Sequence, residues 1–346
     1  MARVLVTGAN GHIGSNTVRS LLRRGHEVIP FVRRTSDLRG IEKLGLECRY
    51  GDVTDYDSLE AATAGCDAVV HHAAAFMLLA RNPDEEIIRP GVVGTQNIFK
   101  ASAKAGVQRL VYTSSVAAVG VSFDPDTVLD ESSWNDDTKY PYFLEKSISE
   151  REALQLSERY GIPTVRILPC TVLGPYDYRI TPSTKNIADL VNGKTTTFKG
   201  GMNYVDVRDV AEAHAAAIDK GEPGGRYLVG SDNVTYADAG RLIKKITGVK
   251  PLHVNSTGVT IFLSGLIEFG AKLTGSDPLV TREMAREFVG PYAYYDCSLA
   301  NEAFELTPRP TEEVLTDCIR WLLYVGKIKP KLAGRLADSL PPDPEW

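Results

Sequence analysis

Tyr142 and Lys146 stand four residues apart in a segment, 140–160, whose sequence predicts a helix, so the two side chains share one face. A phenol with an ordinary pKa near 10 is a poor acid or base at neutral pH. An ammonium a few ångströms away favours the phenolate and lowers that pKa, so the pair could pass a proton to or from a substrate oxygen. A neighbouring serine hydroxyl could hold that oxygen in line, and Ser114 and Ser115 both close the strand predicted over 108–113. The spacing alone is common, and an exposed aromatic beside a solvated lysine is the competing interpretation. Position gives it weight: the helix follows the fifth predicted strand by one loop.

Other reactive residues fall away. His71 and His72 are adjacent on a predicted strand, so they point to opposite faces and cannot act on one atom; both read as structural, and no metal site is expected. The five cysteines, Cys48, Cys66, Cys170, Cys297 and Cys318, are odd in number and never in CxxC spacing, which suggests neither a disulfide framework nor zinc. Free thiols and an N-terminus that enters a strand at once point to a cytoplasmic protein. A net charge of −5 and only scattered arginine pairs argue against a nucleic-acid partner. The most apolar later segment, 259–273, is interrupted by Ser264, Gly265, Glu268 and Gly270, so no membrane partner is expected.

The elements that would position the tyrosine begin at Val4, where an apolar strand breaks into Gly8, Gly11 and Gly14 before a helix predicted over 13–24 and closed by Gly25. Gly8 allows the turn, Gly11 lets a pyrophosphate approach the backbone, and Gly14 lets the helix pack on the sheet. With Asn10, His12 and Ile13 they make a dinucleotide-binding turn, its free N–H groups facing the phosphates. Further strands are predicted over 27–32, 46–50, 67–72, 108–113 and 164–169, and a helix over 84–105 kinked by Pro90. This alternation predicts an α/β protein of the Rossmann type, a doubly wound parallel sheet with ligands at the carboxyl ends of its strands. Arg33 and Arg34 end the second strand, where cations can pair with a 2′-phosphate and so favour NADP(H) over NAD. Asp52, with Val53 beside it, either accepts a bond from the adenine amino group or caps a helix. Ala73 and Ala74 leave room for the cofactor backbone.

Beyond 169 the alternation loosens into a smaller mixed α/β C-terminal substrate lobe. Tyr176, Tyr178, Phe198, Met202 and Tyr204, with Phe76 and Phe123, either line an apolar pocket or are scattered core aromatics. Residues 205–219 should return to the nucleotide domain, and 225–230 add a strand there. Residues 251–290 read as a helical, apolar cover or oligomer surface, 311–325 as an amphipathic helix, and 340–346 as a loose Pro-rich end. The expected division is 1–174 plus about 205–230 for the nucleotide, 175–204 plus about 231–330 for substrate, and 331–346 as a tail.

From residue 2 to about 325 the chain resembles an extended short-chain dehydrogenase/reductase. The motifs are ThrGlyAlaAsnGlyHisIleGly at 7–14, GlyAspValThrAsp at 51–55, ValValHisHisAlaAla at 69–74, TyrThrSerSer at 112–115, TyrPheLeuGluLys at 142–146, and ValAspValArgAspValAlaGluAlaHis at 205–214. The resemblance implies Tyr142 as general acid/base, Lys146 binding the nicotinamide ribose and lowering the tyrosine pKa, and Ser115, five residues before Gly120, binding the substrate oxygen. It also implies that backbone between Pro169 and Pro175, including Val172, meets the nicotinamide carboxamide. Within the superfamily the chain is most similar to the dihydroflavonol reductase and cinnamoyl-CoA reductase group. That finer likeness rests on 88–95, where Gly91 replaces the asparagine usual in sugar-nucleotide epimerases, on 130–134, and on Val32-Arg33-Arg34. It implies NADPH-dependent reduction of a bulky or aromatic carbonyl by a monomer or homodimer. The alternatives are a sugar-nucleotide epimerase or dehydratase that holds NAD, and an NADP-binding regulator without turnover. Two departures stand out: Pro141 directly precedes the tyrosine, and Glu145 replaces the usual serine before the lysine, where it either brings a charge near the site or, three residues on from Tyr142, faces solvent.

Overall fold

The computed structural model describes residues 1–72, 80, 82–274 and 281–338. The first half runs β1 (Arg3–Thr7), α1 (His12–Arg23), β2 (Glu27–Val32), β3 (Arg49–Tyr50), α2 (Tyr56–Thr63), β4 (Ala68–His71), α3 (Arg89–Ala105), β5 (Arg109–Thr113), α4 (Pro141–Tyr160) and β6 (Thr164–Pro169). There follow β7 (Thr171–Leu173), α5 (Pro182–Val191), β8 (Thr197–Phe198), β9 (Gly201–Asp206), α6 (Val207–Ala216), β10 (Arg226–Val229), β11 (Asn233–Thr235) and α7 (Tyr236–Thr247). The last elements are β12 (His253–Val254), α8 (Thr257–Thr274), α9 (Arg282–Phe288), β13 (Tyr292–Ala293), α10 (Ser298–Phe304) and α11 (Thr311–Tyr324).

Seven strands pair in the order β10-β6-β5-β4-β1-β2-β3, all parallel. The order reverses beside β1, which opens a crevice at the carboxyl ends where a ligand can enter. Alternation along each strand feeds two cores. Val4, Val6, Val28, Val70, Val111 and Ile167 pack on the face covered by α1 and α6, whereas Leu5, Ile29, Val69, Leu110 and Tyr112 pack under α2, α3 and α4. Both faces are covered, which is why these strands are nearly continuous apolar runs.

β7 and β9 leave this sheet. β9 pairs with β7, β11 and β13 in a small mixed sheet, so Val172 opposes Val205 rather than a strand of the large sheet. Its core joins β7 and β9 to α5, α7 and α11, and includes Ile328, Ala333 and Leu336. The chain therefore stays packed past residue 331, as short 3-10 turns over Pro330–Leu332 and Gly334–Asp338; residues 339–346 lie outside the described residues.

Two elements differ locally from expectation. Residues Asp84–Ile88 form a π-helical turn, and α3 begins only at Arg89. Pro90 has no N–H to return to the preceding turn, and the wider turn ahead of it accommodates that loss. β3 is shorter than predicted because only Phe31↔Arg49 and Val32↔Tyr50 pair at this sheet edge.

Candidate active site

The glycine turn is held by its own backbone. Gly8 adopts φ +65°, and Gly11 N donates to Gly8 O at 2.9 Å. A Cβ on Gly14 would lie 2.9 Å from the Gly8 carbonyl carbon and closer still to its oxygen, so only glycine lets α1 start this near β1. No side chain caps α1, which leaves its first-turn N–H groups available to an anion. The side chains beside it are already engaged. His12 Nε2 bonds Pro175 O at 3.1 Å, Asn10 Nδ2 donates to Asp37 O at 3.3 Å, and Ile13 packs on the core. His12 and Ile13 thus offer a phosphate only backbone.

At the end of β2, Arg33 and Arg34 are exposed, and neither has an ion-pair partner among the described residues; the Arg34 guanidinium lies 5.3 Å from the Tyr50 ring centroid. Asp52 is not the cap of α2: Asp55 is, accepting from Asp57 N at 3.1 Å. Asp52 Oδ1 instead accepts from Thr54 N and Oγ1, at 2.9 and 2.8 Å. Val53 accepts at its carbonyl from Asn97 Nδ2 at 3.0 Å and packs over Gly94. Ala73, Ala74 and Phe76 lie outside the described residues. A glycine notch, an uncapped helix start and two exposed arginines fit a dinucleotide cofactor.

Tyr142 is the second residue of α4, and Pro141 opens that helix at N1, where a missing N–H costs nothing. Ser115 caps the turn Val116–Ala118, its Oγ accepting from Ala117 N at 3.1 Å, and its side chain hydrogen-bonds Tyr142. Ser114 is committed elsewhere: its hydroxyl donates to Glu150 Oε2 at 2.8 Å, and Glu150 in turn pairs with Arg166 and Arg226. This difference gives a physical reason for the preference for Ser115 that the resemblance implied. Lys146 Nζ, itself buried, sits 5.8 Å from the Tyr142 ring centroid.

Glu145 does not face solvent. It is 2% exposed, with Oε1 accepting from Ser149 Oγ at 2.9 Å and Oε2 3.4 Å from Lys146 Nζ. Residue spacing within α4 could not show this, because the space is made by α3: a Cβ on Gly91 would lie 2.7 Å from Glu145 Cδ. The available signal was that Gly91, in place of the asparagine usual in epimerases, and Glu145, in place of the usual serine, occur in one chain. Their electrostatic effect is visible on the tyrosine. Burial raises the Tyr142 phenol above its ordinary pKa, Lys146 and the Ser115 hydrogen bond pull it back, and Glu145 pushes it up. The lysine is held above its own ordinary value: burial opposes its charge, but the Glu145 carboxylate, with Tyr142 and Tyr112, outweighs that.

The two histidines are structural. His71 Nδ1 meets Thr7 Oγ1 at 2.9 Å, and burial, with Lys146 nearby, lowers its pKa to about 3. His72 Nδ1 meets Thr113 Oγ1 at 2.8 Å on the opposite face, and that hydroxyl also meets His214 Nε2 at 2.9 Å. Among the described residues no group of His, Cys, Asp and Glu could hold a metal ion, and no helix is long and apolar enough to cross a membrane.

Among the described residues, the aromatics expected to line one pocket make separate contacts. Tyr176 and Tyr178 pack on Trp321 of α11, with Arg19 3.7 Å above the Tyr176 ring centroid and Arg39 5.0 Å from that of Tyr178. The loop carrying them is drawn to the α1 side by the His12 bond to Pro175. Tyr204 is buried in the smaller core with Met202 against it, Phe198 packs on Tyr236, and Phe123 is 73% exposed. Tyr142 packs on Phe143 of α4, at 6.0 Å between ring centroids, and Phe143 with Tyr140 meets Phe288 of α9. Pro169 is buried at the end of β6, opposite Val229, and Val172 is half-buried in β7.

Residues 4–230 match the NAD dependent epimerase/dehydratase family. The chain is 31% identical over 332 residues to a putative dihydroflavonol 4-reductase of Synechocystis, covering 94% of this chain and 95% of the relative. It is 34% identical over 273 residues to cinnamoyl-CoA reductase 1 of Petunia hybrida, covering 74% and 81%. The crystal structure of gox2253 superposes with a TM-score of 0.81 at 33% identity, over 94% of this chain and 99% of that one. With the parallel sheet, the glycine turn and these relatives, the chain belongs to the NAD dependent epimerase/dehydratase family of extended short-chain dehydrogenase/reductases and is an NAD(P)-type oxidoreductase.

Proposed function

We propose that the protein is an NADPH-dependent carbonyl reductase in which Ser115, Tyr142 and Lys146 carry the acid–base chemistry. The observation that carries this is the shared hydrogen bond of Ser115 and Tyr142 with Lys146 behind them, at the edge where the glycine turn opens. A reduced nicotinamide, when bound, supplies the hydride for the carbonyl carbon. Tyr142 donates its phenolic proton to the carbonyl oxygen, which becomes the alcohol, and Ser115 holds that oxygen in line. Lys146 keeps a positive charge beside the phenolate left behind and steadies the nicotinamide ribose. Gly8, Asn10, Gly11, His12, Ile13 and Gly14 hold the pyrophosphate through backbone N–H groups. Asp52 and Val53 flank the adenosine half, and Pro169 and Val172 border the nicotinamide.

Arg33 and Arg34 support NADPH over NADH, since their charge is not neutralised by any described residue. The test is oxidation of NADPH and of NADH with a panel of bulky aromatic and aliphatic ketones and aldehydes. NADPH-dependent turnover at a KM well below that for NADH is the expected result. The epimerase alternative predicts instead a protein purified with tightly held NAD and no net NADPH oxidation with any carbonyl.

A further inference from the structure

Gly91 and Glu145 lie on different helices and fit together beside Lys146; we propose that Glu145 is a positioning residue that offsets the lysine's charge and keeps Tyr142 in its protonated form. The consequence for turnover rests on the reductase reading above, whereas the effect on Tyr142 rests on geometry alone.

Among the described residues the Glu145 carboxylate accepts a hydrogen bond from Ser149, at Oε1, and Oε2 has no hydrogen-bond partner; that oxygen faces Lys146 Nζ at 3.4 Å. A carboxylate so buried persists only with a charge partner, and Lys146 is that partner. Gly91 makes the room: any β-carbon there would fall within 3 Å of Glu145 Cδ and Cγ, at 2.7 and 2.9 Å, so the notch in α3 and the carboxylate on α4 form a matched pair. Among the described residues, the other ionisable groups near Lys146 do not substitute for it. From β5 comes Tyr112, whose hydroxyl is bonded to Thr95; from β4 comes His71, neutral at ordinary pH. Glu150, farther along α4, is bound to Ser114, Arg166 and Arg226. In the turn before α3, Glu85 is bonded to Arg89 and Glu86 to Asn82, and Asp84 is exposed; Glu283 and Glu287 of α9 face Tyr140.

An ammonium next to a carboxylate presents a dipole to a third group, not a net charge, so Tyr142 feels less of Lys146 than the helix spacing implies. A tyrosine kept protonated serves as the acid for carbonyl reduction over a wider alkaline range. The reverse oxidation needs the tyrosinate as base, so it gains rate only at higher pH. Removing the carboxylate moves both limbs to lower pH.

The test uses the full chain with E145Q, which keeps the shape and removes the charge, and E145S, which opens space for water around Lys146. Ultraviolet difference titration of tyrosinate, each variant against the same variant carrying Tyr142→Phe, isolates Tyr142 without requiring turnover. In both folded variants Tyr142 is expected to ionise about one pH unit or more below the parent, a shift usual for a neighbouring charge. The pH profiles of reduction and oxidation should move by a similar amount. Gly91→Ala, by displacing the carboxylate, should shift the titration the same way in the parent and add nothing in E145S. An unchanged Tyr142 titration in folded E145Q and E145S would overturn the proposal, as would a full Gly91→Ala shift on top of E145S. A shifted titration in a protein that reduces no carbonyl supports the Glu145 role and overturns the reductase reading instead.

Discussion

The two ends of the crevice handle charge in opposite ways. At the end of β2, Arg33 and Arg34 are exposed and without ion-pair partners among the described residues, whereas at the start of α4 Lys146 and Glu145 are 6% and 2% exposed and held against each other. Exposed cations contribute little to the fold and keep their charge for a ligand. Buried charges are costly unless paired, so each becomes a structural requirement of the other and shapes the ionisation of whatever lies between. One end therefore suits recognition of a phosphate, and the other suits control of a proton.

Breaking the buried side should give the largest effect. Lys146→Met leaves the Glu145 carboxylate buried without a partner, and the expected loss is about 3–5 kcal/mol of unfolding free energy; chemical denaturation at neutral pH measures it, and Lys146→Met with E145Q should recover much of the loss.

Acid sharpens the same contrast. His71 and His214 are held neutral, with pKa values lowered by burial to about 3 and about 4, so the unfolded chain binds more protons than the folded one below about pH 6.5. Stability is therefore fully present at neutral pH and falls as pH drops from about 6.5 toward those folded values, on the order of several kcal/mol in all. Denaturation curves at stepwise lower pH should show the decline, and His214→Gln should flatten it.

On the exposed side, replacing Arg33 and Arg34 together by Ala should leave stability within about 0.5 kcal/mol of the parent. It should raise the KM for NADPH by roughly tenfold or more while leaving NADH unaffected, as expected when charge-assisted bonds to a phosphate are lost. Added salt should weaken NADPH binding in the parent and have little effect in the double variant. Equal losses for both cofactors would place the 2′-phosphate elsewhere.

The legible and illegible parts of the chain divide on locality. The glycine turn could be read because its constraint lies within seven residues: Gly8 needs its positive φ, and Gly14 has no room for a side chain. The strands of the large sheet were readable as apolar runs, and β2 and β6 fall where periodicity placed them, because burial on both faces leaves little ambiguity. Whether Glu145 brings a charge to the site or faces solvent could not be decided within α4, because its surroundings depend on a missing side chain in α3, far away in sequence. Tyr176 and Tyr178 looked like pocket residues because they follow β6; the side to which their loop turns is set by His12 and Trp321, which no local pattern reveals. Ser114 and Ser115 could be ranked by resemblance, but only the three-dimensional placement of Glu150 gives the physical reason.

The most direct test of the acid–base assignment is Tyr142→Phe, which removes one hydroxyl and leaves the ring packing with Phe143 in place. With the carbonyl that gives the highest parent rate, kcat for NADPH oxidation should fall on the order of 10²-fold or more, the usual contribution of a general acid, while NADPH binding measured separately stays near the parent value. Turnover at the parent rate in Tyr142→Phe would contradict the account.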